Sequence, residues 1–150
     1  MLPVPELADI AHVIQLSIAP VFLLTGVASF LGVLTNRLAR IIDRARALEA
    51  MLHNANERER AEAESELGAL SLRARLINRS ISLATLCALL ICAVIALLFL
   101  GTFLGFDVRI LVGSTFIATM FVLIGGLLNF LREVSVATRH LRIGAGTSGA

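Results

Sequence analysis

Residues 35–52 read "TNRLARIIDRARALEAML" and follow an apolar stretch, Val13–Leu34, with no Pro or turn signal at the junction. Leu38, Ile41, Ile42, Ala45, Leu48 and Leu52 recur there at three- and four-residue steps, the period of an α-helix. Arg37, Arg40, Arg44 and Arg46 fill the positions between them. The helical rhythm persists while the surroundings change, so one helix passes from a lipid-like segment into a charged one. Arginine suits that boundary, because its stem packs against apolar surface while its guanidinium reaches headgroups or water.

Hydrophobic residues make up 57% of the 150-residue chain, above the roughly 45–50% of soluble domains. The excess lies in three blocks: Val13–Leu34 with 22 residues, Ile81–Leu104 with 24 and Ile110–Phe130 with 21. About 20 residues cross the hydrocarbon core of a bilayer. None of the blocks contains Asp, Glu, Lys, Arg or His. The second holds 14 residues from Leu, Ile, Val and Phe. At the bilayer centre these contribute at most about −4 to −8 kcal/mol to insertion. The expected fold is all-α, with three transmembrane helices and a long cytoplasmic helical hairpin between spans 1 and 2.

Orientation is expected from the arginines, the chain having no lysine. Nine lie in Thr35–Ser80 and three after Phe130 (Arg132, Arg139, Arg142), against Arg109 alone on the other side. By the positive-inside rule the richer side is cytoplasmic, with the N-terminus outside and the C-terminus inside. Met1–His12 carries Glu6 and Asp9 but no arginine, so the first span reads as an anchor rather than a cleaved signal. The layout is an outside tail (1–12), span 1 (13–34), a cytoplasmic hairpin (35–80), span 2 (81–104) and an outside turn (105–109). Span 3 (110–130), a cytoplasmic helix (131–143) and a flexible tail (144–150) complete it.

Within the hairpin, "HNAN" (His53–Asn56) supplies the turn, and Asn56 with Glu59 forms a candidate capping box. The returning arm carries Ala63, Leu67, Leu70, Ala74 and Ile77. Charge is graded along it. Arg37, Arg40, Arg44, Arg46, Arg73, Arg75 and Arg79 lie next to the spans against Asp43 alone, whereas six glutamates crowd the tip. Asp43 is therefore expected to pair with Arg40, Arg46 or Arg79. The cluster reads either as topology control or as a site for anionic lipid at the bilayer surface.

"LTNRLARIIDRARAL" (Leu34–Leu48), "RARLINRSISLATL" (Arg73–Leu86) and "NFLREVSVATRHLR" (Asn129–Arg142) resemble a family of small bacterial membrane proteins catalogued as a domain of unknown function (the DUF2721 family). The likeness runs from about Val13 to Leu141 and is sharpest at Asn36–Arg37, Arg40, Asp43–Arg44, Arg46, Asn78–Arg79 and Arg132–Glu133. It implies a multi-pass inner-membrane protein and brings no established activity.

Catalytic constellations are missing from the sequence, so no enzyme activity, cofactor or metal is expected. Cys87 and Cys92 are five apart, about 140° around a helix, too divergent for a bridge and suited to packing. His12, His53 and His140 fall in separate segments. The basic residues lack interleaved aromatics, which argues against nucleic acid.

Polarity inside the spans is the remaining signal. Gln15, Phe22, Ser29, Asn36 and Asp43 repeat every seven residues, flanked by Ala19, Gly26 and Gly32. Thr115, Thr119, Gly126, Asn129 and Glu133 share a face of the third span. Small and weakly polar residues are how membrane helices approach one another, so spans 1 and 3 are expected to make the helix contacts, within and between protomers, and span 2 to face lipid. Two functions follow as expectations. One is a homo-oligomeric scaffold or regulator engaging a cytoplasmic protein through the hairpin. The other is a small oligomeric pore or transporter lined by Gln15, Ser29, Thr115, Thr119 and Asn129.

Overall fold

The computed structural model describes residues 7–53, 55–105 and 107–141. The expected flexible tail 144–150 and the first six residues of the outer tail lie outside them. The described residues form three helices: α1 (Leu7–Leu52), α2 (Glu57–Leu104) and α3 (Arg109–Leu141). Each is long and apolar enough to cross a membrane. The junction between span and charged arm is unbroken in α1 and α2, as the persistent periodicity at Thr35–Leu52 requires.

Local chemistry marks the start of α2, its end and the start of α3. The Asn56 side chain accepts from Glu59 N at 2.9 Å, while Asn56 N donates to Glu59 Oε2 at 3.0 Å. This reciprocal box satisfies two of the donors left open at the start of α2. Gly105 follows the last residue of α2 at φ 68°, a left-handed conformation that suits glycine at a helix end. Asp107 Oδ1 then accepts from Arg109 N at 3.1 Å at the start of α3. Inside α1, Pro20 deprives the Leu16 carbonyl of its usual donor.

The chain divides into two compact units. Among the described residues, the apolar unit combines 7–31 with 83–125, and the hairpin unit combines 32–82 with 126–141.

In the apolar unit the buried residues are Val13, Ser17, Pro20 and Val27 of α1, Ala84, Cys87, Ile91, Val94 and Gly101 of α2, and Thr119 of α3. This corrects the expectation that the second span faces lipid, because α2 supplies half of this core. Apolarity cannot separate core from lipid contact when both surroundings are apolar. Side-chain size does better, since small residues permit close approach. Ala84, Cys87 and Gly101 are such residues.

Polar groups in these segments mostly bond to their own helix rather than across helices. Ser17 Oγ donates to Val13 O at 2.8 Å, Ser29 Oγ to Thr25 O at 3.0 Å and Thr119 Oγ1 to Thr115 O at 2.7 Å. Such i−4 bonds satisfy a hydroxyl within its own helix. Cys87 bridges helices weakly, its Sγ 3.8 Å from Thr119 O.

In the hairpin unit the buried residues are Leu34, Ile41 and Leu48 of α1, Leu70, Ile77 and Ser80 of α2, and Gly126 and Glu133 of α3. Along each helix the buried positions keep a seven-residue period: Val13, Pro20, Val27, Leu34, Ile41 and Leu48 in α1, and Thr119, Gly126 and Glu133 in α3. A straight helix would drift about 20° from such a seam with every repeat. The polar repeat of α1 has the same period but sits two positions later, about 200° around the helix. Gln15, Phe22, Ser29, Asn36 and Asp43 are accordingly all exposed, on the face of α1 turned away from its buried seam.

Candidate functional site

The hairpin unit encloses one carboxylate. Glu133 of α3 is fully buried, at 0% exposure, and two arginines reach it from the two arms of the hairpin. Arg73 of α2 donates from Nε to Glu133 Oε1 at 3.1 Å, and its Nη2 lies 3.1 Å from the same oxygen. Arg37 of α1 brings Nη2 to 3.2 Å from Oε2, yet Oε2 accepts no hydrogen bond. The Arg37 guanidinium is instead held by charge and by the Phe130 ring, whose centroid lies 5.2 Å away. Such a cation–π contact contributes about 0.5–2 kcal/mol, more as water is excluded.

Burying a carboxylate costs several kcal/mol, and only close pairing offsets it. Three helices therefore depend on one charge cluster. Its members come from positions far apart in sequence, with Arg73 and Glu133 separated by 60 residues.

A second pair lies on the same side of the hairpin. Arg44 meets Glu66 fork to fork, Nε to Oε1 at 2.8 Å and Nη2 to Oε2 at 3.1 Å. The Arg44 guanidinium holds the Glu66 carboxyl below its ordinary range, and Glu66 in turn raises Arg44. Both side chains are about half exposed, so this pair is weaker than the buried one.

These contacts correct the expectation for Asp43. It is exposed and forms no ion pair among the described residues. The carboxylates that serve the arginines are Glu66 and Glu133, brought in by the hairpin and by α3. Glu66 is one of the six glutamates that the charge gradient assigns to the tip. Hairpin register was the available signal: Arg44 and Glu66 are each eleven residues from Ala55, and Arg37 and Arg73 each eighteen.

Of the other expected site residues, Arg40, Arg46, Arg75 and Arg79 are exposed, and Thr115 and Asn129 are half-buried. Within the apolar unit, Gln15 and Ser29 face outward while Thr119 is buried, so these three do not share a surface.

Arg37, Arg40, Arg44 and Arg73 line one open groove of about 500 Å3, together with Ile41, Leu70 and Glu66. Among the described residues, no three His, Cys, Asp or Glu side chains gather where they could hold a metal ion.

The fold and this cluster define a class: an all-α protein with three helices of membrane-crossing length, whose charged segments pair through a buried carboxylate. Over residues 17–143 the chain matches the family described as "Protein of unknown function (DUF2721)", and it belongs to that family. No curated protein and no solved structure matches it.

Proposed function

We propose that the protein is a homo-oligomeric scaffold or regulator of the bacterial inner membrane, self-associating along α1 and offering its hairpin unit to a cytoplasmic protein. The observation that carries this reading is the outward face of α1. Gln15, Ala19, Phe22, Gly26 and Ser29 are all exposed, within a helix otherwise apolar enough to cross a bilayer. A Cβ placed at Gly26 would meet nothing within 4 Å, so the close approach that this glycine permits is open to a second copy. The twelve-to-one arginine split supports a cytoplasmic hairpin and C-terminus.

Scaffolding is favoured over a pore because the residues expected to line one are divided between outward and buried positions in the apolar unit. The test is native mass spectrometry of the detergent-solubilised protein. Gly26→Leu should shift oligomer to monomer while leaving the circular-dichroism melt unchanged. A monomeric wild type, or an oligomer indifferent to Gly26→Leu, would overturn self-association along α1. Reporter fusions after His53 and at the C-terminus should both read cytoplasmic.

A further inference from the structure

We propose that the groove between the hairpin arms is a binding site for a phosphoryl group, carried by an anionic lipid headgroup or by a soluble phosphate compound. The argument rests on how the four guanidiniums are committed. Arg37, Arg40 and Arg44 succeed one another at three- and four-residue steps on one face of α1, and Arg73 faces them from α2. Two carboxylates stand against these four cations, Glu66 in the groove wall and Glu133 behind it. An excess of two positive charges remains, concentrated in about 500 Å3.

The donors are unevenly used. Arg44 spends Nε and Nη2 on Glu66, and Arg73 directs Nε and Nη2 at a single oxygen of Glu133. Arg37 is oriented by Phe130 and by the charge of Glu133, but it donates no hydrogen bond to Oε2. Arg40 pairs with no acid among the described residues. Positioned guanidiniums with unspent N–H groups are suited to a tetrahedral dianion, whose oxygens take forked donors from several directions. Ile41 and Leu70 supply apolar walls that lower the local dielectric and strengthen the attraction.

The position of the groove fits either source of phosphate. Arg37 follows Leu34, the last residue of an apolar block, by one helical turn, so the groove begins where a headgroup would lie. Its volume of about 500 Å3 also admits a small phosphate ester. The site requires neither self-association along α1 nor a particular orientation in the membrane.

The experiment uses the full chain in two formats. In detergent, thermal stability is followed against inorganic phosphate, with chloride at matched ionic strength. In nanodiscs of phosphatidylcholine, with or without phosphatidic acid, retained lipid is counted by native mass spectrometry. Arg40→Gln removes a guanidinium that holds no other part of the fold. Arg46→Gln makes the same charge change at an exposed arginine outside the groove. Loss of one charge-assisted contact should weaken phosphoryl binding about tenfold in Arg40→Gln and leave Arg46→Gln near wild type. Saturable stabilisation by inorganic phosphate would assign a soluble ligand. Selective retention of phosphatidic acid without a phosphate effect would assign a headgroup. Equal losses in the two variants would reduce the effect to diffuse surface charge and overturn the site. Absence of both phosphate and phosphatidic acid binding in the wild type would overturn it as well.

Discussion

Glu133→Gln is the substitution that probes the hairpin unit most directly. It preserves shape and one acceptor oxygen but removes the negative charge that Arg37 and Arg73 share. Removing one member of a fully buried ion pair costs about 3–5 kcal/mol, because the partner charge stays behind without solvent. Here the carboxylate is 0% exposed, but Arg37 and Arg73 retain 32% and 25% exposure and can partly rehydrate. The cost therefore falls below that range, to about 2–3 kcal/mol. For a chain of this length that corresponds to a fall in Tm of about 5–10 °C. Far-ultraviolet circular dichroism in detergent is the suitable assay, since the chain has no Trp or Tyr for intrinsic fluorescence. If uncompensated arginine charge is the cause, adding Arg37→Met and Arg73→Met to Glu133→Gln should recover most of the loss. A single variant melting within about 2 °C of wild type would refute the reasoning. So would a triple variant no more stable than Glu133→Gln alone.

Three further outcomes test other parts of the structure. Asn56→Ala should cost about 1 kcal/mol by removing the cap of α2, and adding Glu59→Ala should cost less than its single effect, as read by a double-mutant cycle of melts. Gly101→Ala should destabilise by about 1–3 kcal/mol, because its Cβ would collide with the Val108 side chain, and Val108→Ala should relieve the loss in the same melting assay. The Glu66 carboxyl is held below its ordinary value of about 4.3, so the Arg44–Glu66 contribution is complete above that pH and fades as pH falls through the lower folded value. Stability measured across that acid range should therefore decline less steeply in Glu66→Gln than in wild type.

Much of the architecture is encoded locally. Three uncharged apolar blocks of 21 to 24 residues already require helices, because a bilayer-spanning segment must satisfy its backbone internally. The unbroken three-and-four rhythm through Thr35–Leu52 makes the charged arm a continuation of the first helix. Asn56 and Glu59, three residues apart, mark the restart of α2 because a cap involves only neighbours. The facing of each helix was not available in the same way. In lipid both the inward and outward sides of a helix are apolar, so the seven-residue polar repeat of α1 could not be told from its buried repeat two positions earlier. Contacts alone separate Gln15 and Ser29 from Val13 and Val27. Charge pairing is equally non-local. Asp43 lies among the arginines in sequence, yet an exposed carboxylate there is screened by water. Glu133, some 60 residues beyond Arg73, is carried by α3 into a dry position where two guanidiniums must meet it. Coulomb attraction acts through space and grows as water is excluded, so the partner was decided by which helices pack together rather than by which residues are neighbours along the chain.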